Sequence, residues 1–274
     1  MNWYHVAAFG AALALPACSE PVPYGSESVT FLPLPVVVDP HPLNDHVRYL
    51  GGYEIEARGT SQLEGLSDLQ LTPDGDGLRV TALSDFGAIL SFGLKPDGKG
   101  GFGDSRVSIE LLRNADGHVA INRDLNDSED VAVAADGTRY VSYERFQRIM
   151  VFAPDQAWTA TPQPLSLIGM PRLPNNEGLE GLAMIGGQLL AGAESGGFWL
   201  CDPAGGGCER IDGPSVPGFM YKLSSLAPVP GHDDEVLALY RYYDPFTGLR
   251  NVLSLLRLKD GRLSKVADLA KVAP

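Results

Sequence analysis

Short runs of apolar and β-branched residues, cut by clusters of Gly, Pro and Asp, recur from about residue 64 to residue 258. Such runs are strand signals. No stretch keeps a 3.6-residue apolar period beyond a turn or two, so helices are not expected to carry the fold. The turn signals are Pro73-Asp74-Gly75, Ala135-Asp136-Gly137, Gly186-Gly187 and Pro230-Gly231. The pattern predicts second strands at Leu78–Ser84, Thr138–Tyr143, Gln188–Ala193 and Glu235–Tyr240. It predicts third strands at Ala88–Leu94, Arg148–Phe152, Gly197–Cys201 and Val252–Leu258. Short strands with tight turns argue for an all-β chain, and for a radial β-propeller over a solenoid. The length leaves room for five blades of roughly 45 residues, or a tight six.

A four-residue theme opens each predicted repeat. Its copies are Glu64-Gly65-Leu66-Ser67, Glu129-Asp130-Val131-Ala132, Glu180-Gly181-Leu182-Ala183 and the weaker Ser224-Ser225-Leu226-Ala227. Each leads to a strand that ends in a charged residue: Asp85, Glu144, Glu194 and Arg241. In an antiparallel meander the first strand starts, and the second ends, at the same edge. If the first strands line the axis, these charged side chains converge on one mouth.

Of the 274 residues, 44% are hydrophobic and 20% charged, as in an ordinary globular protein. The net charge of −13 argues against nucleic acid and anionic membrane surfaces as partners. It favours cations, or anionic substrates bridged by a metal. The first seventeen residues carry no Lys, Arg, Asp or Glu, and Val6 to Leu15 is apolar. That run is too short to span a bilayer and reads as an export signal over 1–17. Leu15-Pro16-Ala17-Cys18 is similar to a lipoprotein cleavage box, with Cys18 acylated in the periplasm or on the membrane of a bacterial envelope. Residues 18–45 are Pro-rich and read as a tether, in part an entry strand; 46–274 form the domain, expected as a monomer. Cys201 and Cys208 flank a turn sequence, and an oxidising compartment would permit a disulfide there.

Several motifs in order resemble the phytase-like family, "esterase-like activity of phytase", of exported bacterial proteins. They are Glu64 to Leu69, Ser84-Asp85, Asp127 to Ala132, Tyr140 to Glu144, Asn176 to Ala183 and Ala193-Glu194. The resemblance implies a β-propeller with an acidic channel mouth. Three departures stand out. Asp68 and Asp130 occupy places where the family usually has glycine, and Tyr240 one where it usually has glutamate. A further copy of the theme is expected after about Ala270, so the closing blade is expected to be absent or shortened. Alternatively Val47 to Ala57 helps to close the ring.

Six carboxylates at one mouth would repel one another and raise some pKa values unless a cation sits among them. Ca²⁺ accepts six to eight oxygen ligands in loose geometry. Glu64, Asp85, Glu144 and Glu194 are the expected metal ligands. Glu129 and Glu180 are the expected catalytic carboxylates, and Arg241 the clamp for an anionic group. The same residues would otherwise cap blade turns and bond backbone amides. The chain has no Gly-x-Ser-x-Gly elbow and no Gly-rich loop ending in Lys-Ser or Lys-Thr. The expected activity is therefore metal-assisted hydrolysis of a phosphoester or carboxylic ester. A non-catalytic envelope propeller that binds a ligand or partner, or an inactive shortened relative, remains open on sequence.

Overall fold

In the computed structural model, residues 26–33, 52–58, 63, 65–120, 122–174 and 177–272 are described. They form four antiparallel sheets. The first contains β1 (Ser26–Pro33), β2 (Tyr53–Arg58), β3 (Leu66–Asp74), β4 (Gly77–Ser84), β5 (Ala88–Leu94) and β6 (Ser105–Leu111), in the order β2-β1-β6-β5-β4-β3. A four-residue helix, α1 (Arg123–Asn126), leads into the second sheet: β7 (Ser128–Val133), β8 (Arg139–Tyr143), β9 (Arg148–Phe152) and β10 (Gln163–Pro164). The third holds β11 (Leu179–Ile185), β12 (Gln188–Ala193), β13 (Phe198–Cys201) and β14 (Cys208–Ile211). The fourth holds β15 (Lys222–Val229), β16 (His232–Asp244), β17 (Gly248–Lys259) and β18 (Arg262–Val272).

The strands meander outward from β3, β7, β11 and β15, and these four inner strands pack on one another. The architecture is an all-β propeller. Alternation along the strands sends successive side chains to opposite faces, so each sheet can join two cores. Leu83 and Ile89 of the first sheet meet Val141, Met150 and Phe152 of the second. Tyr140 and Ile149 of the second meet Leu182, Leu189 and Trp199 of the third. Leu190, Phe198 and Leu200 of the third meet Val236, Tyr240 and Leu256 of the fourth. The hairpin between β11 and β12 turns through Gly186 and Gly187, both at positive φ (55° and 78°). Two such residues in succession suit the tight turn that matches strand twist, and only glycine adopts it freely.

Three expectations need correction. Four sheets are present among the described residues, not five or six blades. The first sheet absorbs extra strands: β1 pairs with β6 and β2 with β1, at the outer edge and away from any ring closure. The entry strand expected within the Pro-rich segment is present at Ser26–Pro33. The sheet expected to be incomplete is four-stranded, with β18 paired along β17 from Arg262 to Val272. Residues 1–25, with Cys18 and the export signal, and residue Glu64 lie outside the described residues.

Candidate functional site

The strand pairing defines which residues of the four repeats are equivalent. Leu66 pairs with Ser84, Ser128 with Tyr143, Leu179 with Ala193 and Leu223 with Tyr240. An irregularity in the pairing follows at once in every repeat. One position inward from these pairs stand Ser67, Glu129, Glu180 and Ser224. Across from them, at the end of the second strand, stand Asp85, Glu144, Glu194 and Arg241. A repeated backbone bond confirms this register: Asp85 N donates to Gly65 O (2.8 Å), Glu144 N to Asp127 O (2.9 Å) and Glu194 N to Gly178 O (3.1 Å).

All eight of these residues line one cavity of about 310 Å³, together with Asp127, Arg123 and Arg145. Glu129, Glu144, Glu180, Glu194, Asp85 and Arg241, read as site residues from the sequence, therefore do come together. Glu64, the remaining residue read as a ligand from the sequence, lies outside the described residues. The sequence theme aligned it with Glu129 and Glu180, whereas the pairing puts Ser67 at that position. The backbone bonds align Gly65 with Asp127 and Gly178, two residues before Ser67, Glu129 and Glu180, an alignment an apolar pattern does not mark. Asp127, Arg123 and Arg145 were missed; the only sequence signal for Asp127 is its place two residues before Glu129.

Two glycines make room for the carboxylates. A Cβ on Gly65, whose φ is +62°, would lie 2.1 Å from Asp85 Oδ1. A Cβ on Gly178 would lie 2.8 Å from Glu144 Cγ and 3.0 Å from Glu180 Oε1. Asp127 is the C-terminal cap of α1 and is buried. It holds Arg145 Nε at 2.8 Å and lies 3.9 Å from Arg123 Nε. Arg145 also pairs with Asp124 (2.8 Å), Arg123 with Asp85 (3.2 Å) and Lys222 with Glu194 (2.7 Å). Arg241 has no ion pair or hydrogen bond among the described residues.

Burial, and then mutual repulsion, holds protons on the carboxylates. Glu180 is pushed up to about 9 by burial first, then by Glu129, Glu194 and Glu144, with Arg241 pulling the other way. Glu129 is pushed up to about 8 by burial and then by Asp127, Glu144, Asp85 and Glu194. Glu144 rises to about 7, mainly by burial and by Asp127. Asp85 is also raised by burial, against the pull of Arg123.

Asp127, Glu129 and Glu144 each offer an oxygen, and these ligand atoms lie within 4.8 Å of one another. An all-carboxylate donor set suits a hard cation such as Ca²⁺. Beside it, Asp85 Oδ1 is buried with no hydrogen-bond partner. The residues fit a divalent cation. Among the described residues this group shares Glu144 with the ligands expected from the sequence and adds Asp127 and Glu129.

The family model described as "Phytase-like: Esterase-like activity of phytase" matches residues 61–206. The chain belongs to the phytase-like family. A comparison with curated proteins gives no match. Among solved structures, this phytase-like protein is similar to a GH43 glycoside hydrolase engineered to display endo-xylanase and exo-arabinofuranosidase activity. Identity is 11%, with 76% of this chain and 40% of that one covered, at a TM-score of 0.44. It is also similar to PorZ of Porphyromonas gingivalis (10% identity, 77% and 35% covered, TM-score 0.36). A third likeness is to YCF48 bound to a D1 peptide (13% identity, 95% and 91% covered, TM-score 0.31). The phytase-like chain thus spans well under half of the GH43 enzyme and of PorZ.

Cys201 and Cys208 face each other in register on β13 and β14 and are bonded, with S–S 2.07 Å. The bridge closes the Asp202 to Gly207 turn and lies in the core between the second and third sheets, apart from the acidic cavity.

Proposed function

We propose that this protein is a metal-assisted hydrolase of phosphoester or carboxylic ester bonds, working at the acidic mouth. The observation that carries the reading is the Asp127–Glu129–Glu144 group, whose ligand atoms lie within 4.8 Å of one another. Membership of a family described by esterase-like activity of phytase supports the reaction class. Those three residues would hold the cation, and Ca²⁺ is the ion their chemistry favours. A cation bound there supplies Lewis acidity toward an ester or phosphoryl oxygen and a water of lowered pKa.

The protein's own groups divide the remaining work. Glu180, whose carboxyl burial pushes up, lines the same cavity and suits delivery of a proton to the leaving oxygen. Its role is then general acid. Arg241, free of ion pairs among the described residues, orients an anionic substrate group. Ser67 and Ser224 offer hydroxyls in the same cavity. An exported location belongs to the same proposal; the Cys201–Cys208 bond supports it, since disulfides persist in oxidising compartments.

The test uses metal-stripped protein titrated with Ca²⁺, and turnover of p-nitrophenyl phosphate and p-nitrophenyl acetate with and without the ion. Ca²⁺ binding and Ca²⁺-dependent turnover, both lost in Glu129→Gln with the fold intact, are expected. Turnover indifferent to chelator, or equal calcium binding in Glu129→Gln and Asp127→Asn, would overturn the proposal.

A further inference from the structure

Next to the acidic cavity the surface continues through two further depressions. Arg145 lines both the acidic cavity and a small hollow of about 200 Å³, which it shares with Asp124, Phe146 and Arg172. Phe146 and Arg172 in turn line a larger cleft of about 460 Å³. The other walls of that cleft include Arg148, Leu167, Met170 and Pro171. Its volume lies within the roughly 300–1,000 Å³ common to small-molecule sites.

The walls are tied together. The turn between β8 and β9 forms one side and the loop after β10 the other. Gln147 spans them: its Nε2 donates to Pro171 O (3.1 Å), and its Oε1 accepts from Leu173 N (2.7 Å). Arg148 is committed inward, its guanidinium 3.9 Å from the centre of the Tyr143 ring and donating to the carbonyls of Leu125 and Phe146. Phe146 stays 50% exposed at the boundary between hollow and cleft. A half-exposed phenyl ring beside Leu167, Met170 and Pro171 is an apolar surface that water solvates poorly.

Arg172 is the distinguishing group. It is exposed and has no ion pair or hydrogen bond among the described residues. Arg123, Arg145 and Lys222 are all paired with carboxylates. The route from the acidic cavity to the cleft therefore presents one uncommitted guanidinium and then an apolar wall.

We propose that this cleft binds the aryl or acyl part of an amphiphilic ester that carries one anionic group apart from the scissile bond, with Arg172 holding that group. The proposal rests on the hydrolase reading and names its substrate class. A polyphosphorylated polyol is a poor fit. It needs many free cations, and among the described residues lining the acidic cavity and this route the guanidinium groups without an ion pair or hydrogen bond are those of Arg241 and Arg172, among seven carboxylates. The apolar wall would also go unused by such a ligand.

The probe is naphthalene-2-sulfonate, an aryl anion that is not hydrolysed, titrated calorimetrically into the full chain. Phe146→Ser and Arg172→Glu change exposed side chains, and an unchanged melting temperature verifies their fold. Each is expected to weaken binding about tenfold, and inositol hexakisphosphate is expected not to compete. Kinetically, kcat/KM for 6-sulfonato-2-naphthyl phosphate should fall about tenfold in each variant relative to that for methyl phosphate. No binding, binding unchanged in both variants, or displacement by inositol hexakisphosphate overturns the proposal. The two readings fail separately. Variant-sensitive binding with no ester turnover leaves the cleft assignment standing and removes the hydrolase. Calcium-dependent turnover with variant-insensitive binding removes the cleft assignment alone.

Discussion

Asp130, on inner strand β7, accepts a hydrogen bond through Oδ2 from the amide of Leu182 on inner strand β11, at 2.8 Å. The same oxygen accepts from Leu226 N on β15 (3.2 Å), and Ser225 Oγ lies 3.5 Å away. Oδ1 accepts from Val131 N (2.9 Å). From β3, Asp68 hydrogen-bonds to Asp130. One buried carboxyl thus joins all four inner strands just below the acidic cavity. Burial pushes Asp68 up to about 6 and Asp130 well above the usual range.

Asp130→Ala should therefore cost about 2–4 kcal/mol, because the buried Leu182 and Leu226 amides lose their acceptor. Urea unfolding measures this. A loss below 0.5 kcal/mol would mean the bonds do not bridge the sheets as described.

Stability should depend on pH in a direction opposite to that of most acidic proteins. Glu144, Glu129 and Glu180 have folded pKa values of about 7, 8 and 9, all above the ordinary carboxylate value near 4.3. The folded state binds protons more tightly than the unfolded chain. The favourable contribution is fully present below pH about 4 and is lost as pH rises through about 7 to 9. In chelator, the melting temperature should fall from pH 5 to pH 9. Saturating Ca²⁺ should reverse the trend, adding about 2.7 kcal/mol at a hundred times its Kd. Melting curves at pH 5, 7 and 9, with and without Ca²⁺, check both signs.

Glu180→Gln separates repulsion from chemistry. The variant removes a charge that must be buried at high pH, so metal-free protein should be more stable than wild type near pH 9. Turnover should fall about 10²–10⁴-fold, the usual contribution of a general acid. Retained turnover would assign the proton delivery elsewhere.

Removing the Cys201–Cys208 bond tests a role confined to the fold. It closes a short loop with a sequence separation of 7, for which chain entropy gives about 2 kcal/mol. The Cys201→Ser, Cys208→Ser double variant should lose about that much stability. Its calcium affinity should be unchanged, because the bond lies away from the carboxylates.

Much of the strand pattern was legible. Ala88–Leu94, Arg148–Phe152 and Gln188–Ala193 lie where the apolar runs put them. Apolar alternation between turn residues records which face of a sheet is buried, and that is a local property. The hairpin of β16 and β17 ran longer than expected, to Asp244 and from Gly248, because backbone pairing continues past the apolar run. The site was legible in part. Glu129, Glu144, Glu180 and Glu194 repeat with the strands. Asp127 sits at the end of α1, and the pairing puts Ser67 at the place equivalent to Glu129 and Glu180.

The sequence alone determined an all-β chain built from repeated short strands, with acidic residues placed at strand ends. Burial alternation and turn chemistry act over a few residues, so they can be read directly. The tertiary structure decided which sheet received β1 and β2, and which carboxylates approach within ligand distance. It also decided how Asp130 holds four strands together. Those depend on contacts between strands far apart in the chain, set by hydrogen bonds such as Leu182 N to Asp130 Oδ2 and by close packing at the axis.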